Sequence, residues 1–139
     1  MAVRALIVED DPNLRLLWDS VLTDDGFRTV CVNSVIAAEQ AMSSRLFEVI
    51  ILDMKLDDGD SFELARSIAD RQPEAKVLIV TGSALYTKRE LQEISPAIFA
   101  VLRKPVDVEL LSATCKRMIE QDNPQTSGDL SVAPPRSNG

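Results

Sequence analysis

The chain has 139 residues, 45% of them hydrophobic and 27% charged, with a formal net charge of −7. That is enough for one hydrophobic core and not for two, in the proportions of a soluble globular domain. The acidic balance argues against nucleic-acid binding by this segment, because phosphate backbones are held by Lys and Arg. No His is present, which removes the commonest general base, the commonest zinc ligand and any phosphohistidine of the chain's own. Cys31 and Cys115 fall in different expected elements and form no metal-ligand spacing. They read as buried free thiols of a reducing cytoplasm. The apolar run that ends at Val8 is too short for a signal peptide, and no stretch approaches the ~20 apolar residues of a membrane span.

Short apolar runs alternate with helical patterns five times. The first run is Ala5 to Val8, closed by Glu9-Asp10-Asp11. Leu14, Leu17, Trp18, Val21 and Leu22 then follow the spacing of an amphipathic helix, capped by Asp11, with Pro12 at its first position and Gly26 at its stop. Phe27 to Val32 reads as an edge strand, and Ser34 caps a second helix through Met42. Val49 to Leu52 is apolar on both faces and ends at Asp53. After a loop from Met54 to Gly59, Asp60 with Glu63 forms a capping-box pattern for a third helix. Val77 to Val80 is the fourth strand, ending at Thr81-Gly82-Ser83, and a shorter helix covers Thr87 to Ile94. Pro96 separates that helix from the strand Ala97 to Leu102. Lys104-Pro105 closes the strand, and Asp107 caps a last helix carried by Leu111, Cys115 and Met118.

Strands apolar on both faces, interleaved with helices, mean a parallel sheet covered on both sides. Five βα units with right-handed crossovers suit a (βα)5 flavodoxin-like fold with strand order 2-1-3-4-5. Residues 1–121 form this domain. Residues 122–139 are rich in Asn, Ser, Gly and Pro and read as a disordered tail or linker.

Ligands of open parallel sheets gather beyond the carboxyl ends of the strands. The pattern delivers Glu9, Asp10 and Asp11 there from strand one, Asp53 from strand three, Thr81 from strand four and Lys104 from strand five. Converging carboxylates repel one another unless a cation neutralises them, and oxygen-only ligation with room for water suits Mg²⁺. A carboxylate nucleophile, a hard metal, a lysine and a hydroxyl together describe phosphoryl transfer to an aspartate. Asp11, followed by Pro12, reads as a helix cap rather than a ligand.

The chain resembles the receiver domain of two-component response regulators. Four segments carry the likeness: Leu6-Ile-Val-Glu-Asp-Asp, Ile51-Leu-Asp-Met-Lys-Leu-Asp-Asp-Gly-Asp, Val80-Thr-Gly-Ser-Ala and Arg103-Lys-Pro. The resemblance implies that Asp53 accepts the phosphoryl group. Glu9, Asp10, Asp53 and the backbone carbonyl of Lys55 would hold Mg²⁺, and Thr81 and Lys104 would bind phosphoryl oxygens. It also implies a cis Lys104-Pro105 peptide, a histidine kinase or histidine phosphotransfer protein as donor, and a downstream protein or output domain as target. A phosphorylation-dependent dimer fits the same family. The domain would be a signalling phosphoacceptor and not an enzyme acting on external substrates.

Three segments depart from the family pattern. Asp57 stands where Pro is usual, Ala97-Ile98 replaces Gly-Ala, and Val101 occupies the usual aromatic position, with Phe99 two residues earlier expected on the same strand face. Function divides between a stand-alone receiver, the receiver part of a longer regulator, and, from another class, a flavodoxin-like cofactor-binding module. The last is opposed by Glu9-Asp10-Asp11, which would repel a flavin phosphate.

Overall fold

The computed structural model describes residues 2–56, 61–82 and 86–120. Five strands, β1 (Arg4–Val8), β2 (Arg28–Val32), β3 (Val49–Asp53), β4 (Lys76–Thr81) and β5 (Ile98–Arg103), form one sheet of order β2-β1-β3-β4-β5. Every neighbouring pair is parallel. Between and after them lie α1 (Pro12–Asp24), α2 (Val35–Ser44), α3 (Ser61–Arg71), α4 (Lys88–Ile94) and α5 (Val108–Glu120). The expected (βα)5 architecture and strand order are those observed.

Two apolar layers sandwich the sheet. Leu6, Val8, Ile50, Leu52, Val77 and Ile79 meet Val35, Ala38, Leu64, Ile68 and Leu91 of α2, α3 and α4. Ala5, Ile7, Ile51, Leu78 and Val80 meet Trp18 and Leu22 of α1 and Leu111, Cys115 and Met118 of α5. The period-2 pleat sends successive side chains to opposite layers, so the central strands must be apolar throughout. Each fully buried Leu or Ile removes enough surface from water to contribute roughly 1.5–3 kcal/mol.

The helix ends follow the local chemistry. Asp11 Oδ1 accepts from the N–H groups of Asn13 at 2.8 Å and Leu14 at 3.3 Å, which confirms it as the cap of α1. Gly26 takes φ 95°, the left-handed conformation that ends the helix and that a side chain disfavours. Ser34 caps α2, and Asp107 Oδ1 accepts from the Glu109 N–H at 2.9 Å. The expected capping residue Asp60 lies outside the described residues, as do residues 121–139, including the tail, and the departure at Asp57. A reciprocal capping box does occur at Thr87 and Glu90, opening α4.

Two expectations need correction. Cys31 is exposed rather than buried, because β2 is an outer strand with a neighbour on one side only; Cys115 is buried, and desolvation pushes its thiol up to about 12. The second concerns β5. Val77 pairs with Ile98 and Leu78 with Ala100, so the register skips Phe99. That irregularity inverts the alternation. Val101 packs on the α2–α4 layer, whereas Phe99 packs on the α1–α5 layer, 5.8 Å from both Lys76 Nζ and the Arg117 guanidinium. Phe99 therefore does not share a face with Val101.

A buried glutamine holds the lower end of the α2 layer together. Gln72 Oε1 accepts from the Phe47 N–H at 2.8 Å, and Nε2 donates to the carbonyls of Met42 at 3.1 Å and Arg45 at 2.9 Å. Replacing it with Ala strands the buried Phe47 N–H and Met42 carbonyl and frees the part-buried Arg45 carbonyl. Gln72→Ala is expected to lower stability by about 2–4 kcal/mol in urea unfolding, and a loss below ~1 kcal/mol would show that water substitutes for the amide.

Candidate functional site

The site forms where β1, β3, β4 and β5 end. Four consecutive buried residues, Ala5 to Val8, hold β1 in the sheet, so the chain emerges at Glu9 with no freedom in direction. Glu9 is fully buried. Its N–H donates to the Val32 carbonyl at 3.1 Å, and its own carbonyl accepts from Arg15 Nη1 at 2.9 Å. Asp53, the last residue of the buried strand β3, is 2% exposed. Its Oδ1 accepts from the Lys55 N–H at 3.0 Å, and its carbonyl accepts from Ser61 Oγ at 3.1 Å.

Glu9, Asp10 and Asp53 each present a carboxylate oxygen within 4.8 Å of the others. Lys104 reaches into this group from the end of β5, with Nζ 3.1 Å from Glu9 Oε1 and 3.4 Å from Asp53 Oδ2. The same ammonium lies 6.0 Å from the Trp18 ring centroid, and Trp18 is itself buried. Thr81 is buried at the end of β4, and its carbonyl accepts from the Lys104 N–H at 2.9 Å. The Lys104-Pro105 peptide is cis.

Electrostatics follow from this packing. Burial is the main cause that raises the Glu9 pKa to about 7; the Asp53 charge adds to it, while the Asp11 N–H and Lys104 oppose it. Burial works against the charge on Lys104, but its contacts with Glu9 and Asp53 prevail and raise its pKa above the ordinary value. Glu9 Oε2 accepts from the Asp11 N–H at 3.0 Å. Oε1 is buried and receives no well-directed hydrogen bond, although Lys104 stands beside it as an ion-pair partner. One lysine thus faces three clustered carboxylates, which leaves the site short of positive charge.

The structure brings together Glu9, Asp10, Asp53 and Lys104, with Thr81 at the neighbouring strand end. Lys55 stands two residues beyond Asp53, its side chain exposed. A part of the site that sequence reasoning missed is its apolar and aromatic flank. Phe62 and Tyr86 make an edge-to-face pair at 5.2 Å and, with Met54, Lys55, Thr81 and Leu91, line a cavity of about 380 Å³. Arg103, the register partner of Thr81, donates from Nη2 to the Tyr86 carbonyl at 2.7 Å. Spacing gives no sign of a contact between α3 and the segment before α4. Trp18 gave no such signal; spacing marks it only as part of the buried face of α1.

Comparison with known proteins agrees with this geometry. Residues 5–116 match the family model described as "Response regulator receiver domain". The response regulator protein PilR of Pseudomonas aeruginosa is 29% identical over 123 residues, covering 88% of this chain and 27% of PilR. The chain therefore spans about a quarter of that relative's length. Among solved structures, a CheY-like receiver domain from Methanospirillum hungatei superposes with a TM-score of 0.75 at 25% identity, covering 88% of this chain and 98% of that one. The response regulator TrrA of Thermotoga maritima, solved in complex with Mg²⁺ and BeF, shares the fold with a TM-score of 0.73 at 22% identity, over 84% of this chain and 98% of TrrA. With its five parallel strands, its strand-end acids and a family match over most of its length, the chain belongs to the response regulator receiver domains.

Proposed function

We propose that this chain is a phosphoacceptor that takes a phosphoryl group on Asp53, in the presence of Mg²⁺, and thereby switches a partner. The observation that carries the reading is the placement of Lys104 Nζ between the carboxylates of Glu9 and Asp53. That ammonium can neutralise an equatorial phosphoryl oxygen while Asp53 presents a carboxylate oxygen to phosphorus. These residues contain no His, so the proposed donor is a phosphohistidine outside them, on a sensor kinase or a histidine phosphotransfer protein. A P–O bond to Asp53 forms as the donor's P–N bond breaks, and the imidazole nitrogen keeps the electron pair. The nucleophile is an ionised carboxylate and needs no base.

The residues present fit a hard cation. The clustered side-chain donors are carboxylate oxygens, and Glu9 Oε1 is a buried oxygen without a hydrogen bond. Glu9, Asp10, Asp53 and the Lys55 carbonyl would hold Mg²⁺, which when bound supplies charge neutralisation at the phosphoryl oxygens. The chain's own groups do the rest. Thr81 and Lys104 would bind phosphoryl oxygens, and the buried floor beneath Glu9 and Asp53 keeps both carboxylates fixed in direction. Exposed Leu16 and Leu17 on α1, and Leu110 on α5, offer an apolar surface to a donor near the site. The reading places the phosphoacceptor unit at residues 1–121, with 122–139 as tail or linker, and sets it in the cytoplasm with the kinase. What the unit switches is a separate protein or an attached output domain.

Acetyl phosphate with Mg²⁺ is expected to add one phosphoryl group to the wild type, seen by intact mass, and none to Asp53→Asn or without the metal. Equal labelling of both proteins would sink the assignment. Lys104→Ala should keep the fold and lose less than about 2 kcal/mol of stability, the range of a partly exposed substitution, while labelling slows by an order of magnitude or more. A variant that labels at the wild-type rate removes Lys104 from the chemistry.

A third outcome concerns pH. A carboxyl whose folded pKa is raised contributes stability in its protonated form, fully present below the unfolded value near 4.5 and lost as pH rises through about 7. The metal-free protein should therefore lose stability across that window. Glu9→Gln should remove much of the loss, gaining roughly 1–3 kcal/mol at pH 8 and little at pH 4. Mg²⁺ should have its stabilising effect at the high end. Urea unfolding at the two pH values checks this, and a Glu9→Gln gain that is the same at both would show that ionisation of Glu9 is not the cause.

A further inference from the structure

At the opposite end of the sheet, the first residues of β1 and β2 carry a basic cluster that the phosphoacceptor site does not use. Arg4 and Arg28 are direct register partners on adjacent strands. Arg45, just beyond α2, joins them in lining two adjoining concavities of about 370 and 660 Å³. Arg28 and Arg45 are exposed and Arg4 is half-buried. Among the described residues none of the three makes an ion pair. Glu48 lines the larger concavity, where its Oε1 accepts from the Arg4 main-chain N–H at 2.8 Å. Like charges directly opposite on neighbouring strands destabilise a sheet. In a chain of net charge −7, three arginines gather at one sheet corner, with Glu48 beside them.

The same corner has an open edge. β2 is an outer strand paired only with β1. The Arg28 N–H donates to the Val3 carbonyl at 2.8 Å, and the Val32 carbonyl accepts from Glu9, so residues 28, 30 and 32 turn their backbone groups inward. By alternation, Thr29 and Cys31 turn theirs outward. The exposure of Cys31 agrees with an uncovered edge. A single charge on an edge strand is enough to discourage pairing with another sheet. It accounts for Arg28, but Arg4 lies on an inner strand and Arg45 beyond a helix.

We propose that this corner is a docking site for an extended acidic segment of a partner protein, which adds as a sixth strand beside β2 and sets carboxylates against Arg28, Arg45 and Arg4. The open edge supplies backbone donors and acceptors for the added strand, and the arginine cluster selects acidic side chains at alternate positions. Nucleic acid is a poorer occupant, since three phosphate contacts would have to overcome the repulsion of an acidic domain. The site lies at the amino ends of the strands, whereas Asp53 lies at the carboxyl end of β3, so binding there leaves the phosphoacceptor accessible.

A heptapeptide of alternating valine and glutamate is the probe, titrated into the full chain and followed by amide NMR. Shifts are expected at Thr29 and Cys31, with a lysine-for-glutamate peptide producing none. The double substitution Arg28→Glu and Arg45→Glu should weaken binding on the order of tenfold while phosphorylation by acetyl phosphate proceeds as in the wild type. Cys31→Pro removes one outward N–H at an edge position that tolerates proline, and it should weaken binding with the arginines intact. If that variant does not fold, the amide shift pattern of the wild type decides. Three results overturn the proposal: affinity unchanged by charge reversal; full competition by inorganic phosphate with no shift at Thr29 or Cys31, which is a simple anion site; or a dimer of the chain alone that Arg28→Glu abolishes, which makes the face an interface between copies.

Discussion

Mutual repulsion among three carboxylates is the constraint on which this site depends. Glu9, Asp10 and Asp53 are held within 4.8 Å of one another, and in solution such groups would separate. The fold prevents it. Buried residues from Ala5 to Val8 and from Val49 to Leu52 lock the two strands that deliver them, and relaxation would require removing several large apolar side chains from the core. The sheet is thus the reservoir against which the electrostatic cost is set, and Lys104 offsets only part of that cost. An incompletely neutralised anionic cluster favours cations over anions, so under the proposed function a phosphoryl group would approach only after positive charge has been added.

The position of Lys104 rests on backbone geometry as much as on its charge. Its N–H is tied to the Thr81 carbonyl, so the strand end of β4 and the start of the β5–α5 loop move together. Its ammonium sits against two carboxylates and near the Trp18 ring. Helix α1 therefore supports the site twice, through Trp18 beneath the lysine and through Arg15, which holds the Glu9 carbonyl. Asp11 has a different task. It satisfies the first N–H groups of α1, and its own N–H fixes Glu9 Oε2. Three adjacent acids thus divide between helix capping and the charged cluster.

Much of this was legible in the sequence because two periodicities and the strand ends carry it. Val49-Ile50-Ile51-Leu52-Asp53 states a central strand and its terminal acid in five letters, and α1 declares its cap, its Pro and its terminal Gly. The β5 strand was only half legible. Alternation predicts that residues two apart share a face, but one skipped register position between Ile98 and Ala100 reverses the prediction for Phe99. No propensity distinguishes a bulged strand from a regular one here. Gln72 was invisible for another reason. A lone Gln after a helix reads as solvated, and only the tertiary approach of residues 42–47 gives it three backbone partners. The arginine pair Arg4 and Arg28 likewise depends on register, which the 23 residues between them conceal.

With Phe99 turned to the other layer, the contacts that lead from the site to α4 take a particular course. Val101 packs in the α2–α4 layer but has few χ1 choices and no ring to swing. The polar route beside it is continuous. Thr81 is paired in register with Arg103, Arg103 holds the Tyr86 carbonyl, and Tyr86 directly precedes Thr87, the cap of α4. Tyr86 also leans on Phe62 across the cavity that Thr81 helps to line. A displacement of Thr81 toward an occupied Asp53 would thus meet α4 through an arginine and a main-chain carbonyl, with an aromatic pair and open volume beside them. Such a route transmits only the difference between the contacts of its two arrangements. α4 has seven residues and a single buried one, Leu91, with Ile94 packed partly against the same layer, so little packing holds it in place.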